Sequence, residues 1–357
     1  MAQAKVLIFA PADSTGETHR RLEGLGCELA LGKASWSTPM GNNEDEIVKM
    51  AQGADALMGT SIRSSPITRR IMESSKNLRI VAKFTIGVDD VDVEAATELG
   101  ILVTHAPTES NWGGVAEGTV GIMLTLLKKI REKDRFVKAG HWRSNDLLGA
   151  YVGARADGYK GITVGIVGLG RVGGRFARLM RPWGARLIGY DPYIPDSKFK
   201  EHGVEKVDFQ TLLRESDVVS LHIVLTKETR HMVGEAELGQ MKPGAVLVNT
   251  SRGAVVNERA LVRALQEGII TAAGMDVFEE EPIFPENPLL QLGDKVLLSP
   301  HMVSGNVGAG LKPGVLWGTE AVIRALKGEV HDNVYNKEII PRWLSRFGGK
   351  SLLPGGQ

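Results

Sequence analysis

The sequence predicts an α/β protein made of two doubly wound parallel-sheet domains, and three observations carry that expectation. Short β-branched apolar runs alternate with stretches of helical period along most of the chain, and parallel neighbours are the arrangement that requires such crossovers. The alternation breaks at 107–114, within APTESNWGG, and then resumes, so the pattern describes two cores; 357 residues are enough to fill both. Finally, residues 160–191 read KGITVGIVGLGRVGGRFARLMRPWGARLIGYD: a strand, a glycine-rich turn, a helix and a second strand ending on an acid.

In chain order, the first domain has expected strands at 5–9, 27–30, 56–58 and 80–84, interleaved with helices at 17–26, 43–52 and 68–74. A long helix is expected from 115 to 139. Its apolar positions Val115, Ile122, Met123, Leu126, Leu127 and Ile130 exceed what one face buries under a single sheet, which suits either a dimer contact or a helix serving both domains. Six parallel strands are then expected, at 162–167, 186–190, 218–224, 245–249, 272–277 and 295–298, the size of a full dinucleotide-binding domain. A helix at 315–327 returns to the first domain, which is therefore discontinuous. The tail beyond Asn333, rich in glycine and charge, is expected to be loosely held. The expected bounds are 1–112 and 302–357 for the first domain with its return and tail, and 113–301 for the dinucleotide domain.

Charge and cysteine content narrow the partners. Lysine plus arginine (43) nearly cancel aspartate plus glutamate (42), so no broad field draws the chain to nucleic acid or to a membrane. Any anion must be met by local charges. Cys27 is the only cysteine, which excludes an intrachain disulfide and a cysteine metal cluster and suits a reducing cytoplasm. The apolar run near the N-terminus has the length of a first strand and is too short for a signal-peptide core; no run reaches the length of a membrane span.

Within 160–191 each glycine has a physical reason. Gly168 permits the tight turn, Gly170 lets backbone approach a pyrophosphate, and Gly173 allows close helix–strand packing. The amides of Arg171 and Val172 open the helix, where free N–H groups favour phosphate. Asp191 closes the unit at the spacing where a carboxylate accepts hydrogen bonds from an adenosine ribose, and it would repel a 2′-phosphate, so NAD is expected rather than NADP.

Three later stretches end expected strands, where open α/β sheets place ligands: Thr250-Ser251-Arg252-Gly253, the run DVFEEEP at 276–282, and Ser299-Pro300-His301. Singly, each has an ordinary explanation. Arg252 would pair with a surface acid, Glu281 is one of three adjacent glutamates, and His301 would be a hydrogen-bonded core imidazole. Together they supply a cation, a carboxylate and an imidazole, which is what hydride transfer at a hydroxy acid requires. The proton needs a group titrating near neutrality, the carboxylate orients that group, and arginine presents a planar fork to a substrate carboxylate.

The chain resembles the D-isomer-specific 2-hydroxyacid dehydrogenase family, which contains phosphoglycerate, glyoxylate or hydroxypyruvate, and D-lactate dehydrogenases. The motifs VGLGRVG, YDPY, DVVSLHIVLTKETRHMV, NTSRGAVVNERAL, GMDVFEEEP and LSPH occur in the family's order between Gly59 and about Asn333. The resemblance implies a Rossmann dinucleotide-binding domain inserted into a flavodoxin-like substrate domain, acting on a small 2-hydroxy or 2-oxo acid; with the lone cysteine and the apolar helix at 115–139, a cytoplasmic homodimer is expected. It implies that Arg252 binds substrate, Glu281 supports the imidazole and His301 is the acid/base. His222, Thr250 and Asp276 would join Gly168, Gly170, Arg171, Val172, Gly173 and Asp191 in holding NAD. In the first domain KFTIGVDDVDVEAA resembles the family's substrate loop, so the amides of Ile86 and Gly87 would hold the substrate carboxylate, with Asn111 a further polar group nearby. Arg63 and Lys83 match cations that face the phosphate in phosphoglycerate dehydrogenases, which implies a substrate with an anionic tail; the ordinary reading of the same residues is that Arg63 solvates a loop and Lys83 pairs with Asp89 or Asp90. The alternatives for the protein are a glyoxylate or hydroxypyruvate reductase and a non-catalytic NAD(H)-sensing protein like the family's co-repressor relatives. Three departures stand out: Asp90 replaces a more usual Asn, Val224 replaces a usual proline, and the segment after His301 is less alike. No C-terminal regulatory domain is expected.

Overall fold

The computed structural model describes residues 4–35, 37–38, 40–62, 64–307 and 310–354. The chain divides into two compact units, residues 1–111 with 306–357, and residues 112–305. In order, the first unit contributes β1 (Ala4–Ala10), α1 (Glu17–Gly24), β2 (Cys27–Leu31), α2 (Glu44–Ala51), β3 (Ala56–Gly59), α3 (Arg69–Glu73), β4 (Ile80–Lys83), α4 (Val93–Leu99) and β5 (Leu102–Thr104). Helix α5 (Glu109–Lys128) leads into the second unit. There follow α6 (Ile130–Lys138), β6 (Thr163–Val167), α7 (Arg171–Met180), β7 (Arg186–Tyr190), α8 (Asp196–His202), β8 (Glu205–Lys206), α9 (Phe209–Glu215), β9 (Val218–Leu221), α10 (Glu235–Leu238), β10 (Val246–Asn249), α11 (Glu258–Glu267), β11 (Ala272–Met275) and β12 (Val296–Leu298). The chain then adds α12 (Lys312–Lys327) and α13 (Ile340–Phe347) to the first unit.

Both sheets are wholly parallel. The first has the order β2-β1-β3-β4-β5, the flavodoxin-like winding, and the second β12-β11-β10-β9-β6-β7-β8. Read from β6 outwards, the second order is that of a dinucleotide-binding sheet, with its reversal between β6 and β9. In β1 the side chains alternate between two cores: Val6 and Ile8 pack with α12 and α13, Leu7 and Phe9 with α2 to α4. Being covered on both faces explains why these strands read as continuous apolar runs.

Several expectations need correction. The second sheet has seven strands, because two-residue β8 adds an edge to the six expected; three-residue β5 was likewise outside the expectation for the first sheet. The expected helix 115–139 is two helices. Lys129 takes a left-handed conformation, φ 52°, and separates α5 from α6. The apolar stripe of α5 is core: Ile122, Met123, Leu126 and Leu127 are buried, and Ile122 fits because Gly274 on β11 has no side chain, a Cβ there falling 2.2 Å from an Ile122 methyl. Ile130, beyond the break, is 51% exposed.

As far as residue 354 the tail is also anchored rather than loose. Trp343 and Phe347, at i and i+4 of α13, enter the first core, and the Trp343 indole N–H donates to the Arg79 carbonyl at 2.8 Å. The buried Arg79 guanidinium donates to the carbonyls of Ala325, Leu326 and Lys350 and lies over the Phe347 ring. It thereby adds a donor to carbonyls in the last turn of α12, where helical N–H partners run out. Buried Asn336 does the same for edge strand β5, accepting from the Val103 amide and donating to the Ile101 carbonyl.

Candidate functional site

The nucleotide half of the site grows from the β6–α7 turn. Gly168 has φ 87°, a conformation few residues other than glycine adopt, and a Cβ there would lie 2.6 Å from the His222 carbonyl oxygen. Gly173 has its Cα against the Gly168 carbonyl, at a distance a Cβ would reduce to 2.0 Å. Above Gly170 the space is open; a Cβ would meet nothing within 4 Å. Gly170 is the N-cap of α7 and has no side chain to offer the first-turn amides of Arg171 and Val172, which are left for an anion. At the end of β7, Asp191 accepts from the Leu169 amide at 2.9 Å with one oxygen and from the Tyr193 amide at 3.0 Å with the other. Each oxygen retains a lone pair for a ribose hydroxyl. These residues fit a dinucleotide: backbone approach, phosphate amides and ribose acceptor all come from one β-α-β unit.

His222 follows β9, across the reversal point from β6. Its Nε2 meets the Ser220 hydroxyl at 2.9 Å and its ring packs on Phe176. The residue keeps some surface, but Nδ1 is buried with no hydrogen-bond partner among the described residues. Burial pushes its pKa down to about 3, so the imidazole is neutral at ordinary pH.

The chemical half comes from three adjacent strand ends, β10, β11 and β12. After β10, the buried Asn249 side chain staples the turn, donating to the Arg252 carbonyl and accepting from the Ser251 amide and hydroxyl. Its role was missed in the sequence, although a polar residue ending an apolar strand was the available signal. The Arg252 guanidinium donates to the Ser251 carbonyl at 2.7 Å and is partly buried. Gly253 must be glycine, since a Cβ would sit 1.9 Å from the Phe278 backbone; this contact brings the β10 and β11 loops together. Thr119 donates its hydroxyl to the Val115 carbonyl, so at the 2.8 Å Thr119–Thr250 contact the Thr250 hydroxyl is the donor, tying this loop to α5.

After β12, His301 adopts φ 55°, which aims its ring back toward the β11 loop. Its Nδ1 lies 2.9 and 3.1 Å from the two Glu281 oxygens, and Glu281 also accepts from the Phe278 amide. The imidazole is 40% exposed and the carboxylate 14%. Asp276 is buried, and its carboxylate accepts from the amides of Met302 and Val303, which fixes the loop carrying His301. Burial raises its pKa. Its visible duty is therefore to the His301 loop.

In the first unit, Ile86 and Gly87 form a partly buried turn after β4, and Asn111 lies in the first turn of α5. Of the two alternatives for Lys83, the structure shows the pairing with Asp90. Lys83 is fully buried, with Nζ 2.6 Å from Asp90 and 2.9 Å from the Thr60 carbonyl, above the Phe9 ring. Arg63 lies outside the described residues. Among the described residues no helix is long and apolar enough to cross a membrane, and no group of three His, Cys, Asp or Glu is placed to hold a metal ion.

A nucleotide-binding α/β sheet with an imidazole–carboxylate pair at its strand ends defines a dinucleotide-dependent oxidoreductase. The family model for the D-isomer specific 2-hydroxyacid dehydrogenase NAD binding domain matches residues 120–303. A glyoxylate reductase of Thermococcus litoralis is 38% identical over 307 residues, covering 85% of this chain and 90% of that one. A D-3-phosphoglycerate dehydrogenase of Methanocaldococcus jannaschii is 38% identical over 303 residues, covering 85% of this chain and 55% of that one. The crystal structure of a D-lactate dehydrogenase from Aquifex aeolicus, complexed with NAD and lactic acid, superposes with a TM-score of 0.77 at 27% identity, covering 95% of this chain and 98% of that one. The chain belongs to the D-isomer-specific 2-hydroxyacid dehydrogenase family. It is an NAD-dependent oxidoreductase that interconverts 2-hydroxy and 2-oxo acids.

Proposed function

We propose that the chain reduces a short 2-oxo acid to its D-2-hydroxy acid, with His301 donating the proton from Nε2 to the carbonyl oxygen. The observation that carries this is the His301–Glu281 pair: the carboxylate fixes Nδ1 as the protonated nitrogen facing it, leaving Nε2 at the open end of the ring. Bound NADH supplies the hydride. Arg252 is assigned to the substrate carboxylate and the reacting carbonyl, and Ile86 and Gly87 supply amides to the same carboxylate, with Asn111 as a further polar group. Thr250, His222 and Asp276 are assigned to the NAD side, where Asp276 acts through the loop it holds.

The anionic-tail substrate now rests on Arg63, because Lys83 is already neutralised by Asp90. The deciding experiment is turnover of glyoxylate, hydroxypyruvate, phosphohydroxypyruvate and sulfopyruvate with NADH. Equal or better efficiency on the tailless acids supports the short-acid reading, whereas a large preference for the phosphate or sulfonate restores the tail.

The working unit is proposed to be a cytoplasmic homodimer. Its support is the surface of α6 and the segment after it, where Ile130, Val137, Trp142, Leu148 and Tyr151 are each more than half exposed. Light scattering tests it: Trp142→Asp with Leu148→Asp should yield a monomer where the parent chain is a dimer.

A further inference from the structure

His105 was not singled out by the sequence, yet it stands against the turn that carries the substrate-facing amides. Its Nδ1 lies 3.1 Å from the Ile86 carbonyl oxygen. A carbonyl only accepts, so Nδ1 carries the proton. One residue on, the Ala106 amide donates to the Thr85 carbonyl at 2.9 Å. Both bonds come from the segment just after β5.

These bonds act on the amides through the peptide plane. The peptides at 85–86 and 86–87 are trans, so each C=O points opposite to the N–H of the same plane. Holding the Thr85 oxygen toward Ala106 turns the Ile86 N–H away from that segment. Holding the Ile86 oxygen toward His105 turns the Gly87 N–H away in the same manner. A third bond, from the Thr85 hydroxyl to the Gly87 carbonyl at 3.0 Å, closes the turn on itself. Gly87 has no side chain of its own to restrict its backbone, so the orientation of its amide depends on such outside bonds.

The imidazole is in turn held by the C-terminal part of the chain. The His105 amide donates to the Asn333 carbonyl at 3.2 Å, and the Tyr335 ring stands edge-on to the imidazole at 5.7 Å and 80°. The Tyr335 amide donates to the Val103 carbonyl at 2.7 Å, which keeps this strap on edge strand β5.

We propose that His105 is a positioning residue that presets the Gly87 amide for the substrate carboxylate, a role that rests on the reading of the 86–87 amides as the carboxylate anchor. It touches no reacting atom. Losing it should weaken substrate binding and leave the proton and hydride steps intact.

The test uses the full chain with NADH and glyoxylate. His105→Ala should raise KM about tenfold, the size expected for one lost orienting hydrogen bond, with kcat within about twofold and NADH affinity unchanged. His105→Asn, whose carboxamide N–H can reach the same carbonyl, should bring KM back to within about threefold of the parent value. A role in stability alone would not give this split or this rescue. In parallel, the chain labelled with 15N-glycine is titrated with oxamate in the presence of NADH, the Gly87 resonance being identified by its loss in Gly87→Ala. A shift of that resonance supports the anchor, and a resonance that stays in place would overturn the anchor and this inference with it. A shifting resonance together with an unchanged KM in His105→Ala, or an equal fall in kcat, would overturn the role of His105 alone.

Discussion

His301 and Lys83 occupy comparable places, each at or just beyond the C-terminal end of a parallel strand and each bonded to one carboxylate, yet their surroundings differ. His301 keeps 40% of its side chain exposed and shows Glu281 only one edge of the ring. Lys83 is wholly buried, with Asp90, the Thr60 carbonyl and the Phe9 ring around its ammonium. A strand-end charge serves a ligand only if part of it remains open after the protein has satisfied it. Desolvation makes the buried pair a structural element: once out of water, each charge depends on the other.

The largest effect that would test this contrast is on turnover. His301→Ala should lower kcat by about a hundred- to ten-thousandfold, the usual range for a general acid/base, with NADH affinity and urea midpoint nearly unchanged. If kcat stays near the parent value, another group supplies the proton. Lys83→Met should behave in the reverse sense. It leaves Asp90 without its cation and should reduce unfolding stability by about 3 kcal/mol in urea titration, while Lys83→Met with Asp90→Asn recovers much of the loss. The contrast breaks if Lys83→Met keeps its stability and instead loses efficiency on phosphohydroxypyruvate but not on glyoxylate.

His222 is a third case, a histidine near a strand end whose Nδ1 is out of water. Its pKa is lowered to about 3 in the folded chain, so between that value and about 6.5 the unfolded chain binds a proton that the folded chain does not. Stability from this group is complete above about pH 6.5 and falls on acidification by up to about 1.4 kcal/mol per pH unit. His222→Gln should flatten that part of the stability profile; identical acid slopes in both proteins would mean that the folded chain protonates His222. The smallest expected effect is at Asp191, whose oxygens hold two amides yet remain partly open. Asp191→Ala should reduce the preference for NADH over NADPH by about tenfold, read as a ratio of kcat/KM. A parent enzyme equally efficient with both cofactors would remove Asp191 as the discriminator.

What was legible in the sequence was what depends on neighbours along the chain. The Gly168–Gly173 turn, the buried strands and the α/β class all follow from backbone freedom and apolar period within some thirty residues. Strands β5 and β8 were not legible because three and two residues carry no period. The break at Lys129 hid inside a pattern that helix residues continue on both sides. In the tail, glycine and charge masked Trp343 and Phe347, the two residues that fasten it.

The sequence by itself determined the class of fold, the nucleotide turn and the residue types available for hydride chemistry, since these are set by local conformational preference and by the chemistry of each side chain. Tertiary structure alone decided which charges stay open to a ligand. That choice turns on burial and on partners distant in sequence. Asp90 neutralises Lys83 across seven residues, Glu281 meets His301 across twenty, and the strap at Asn333 and Tyr335 holds His105 from more than two hundred residues away. The sequence offered the Lys83–Asp90 and His301–Glu281 pairings as readings among others but not the hold on His105; which of them forms is settled only by the fold, because the free energy of each depends on how much water the completed fold removes from around it.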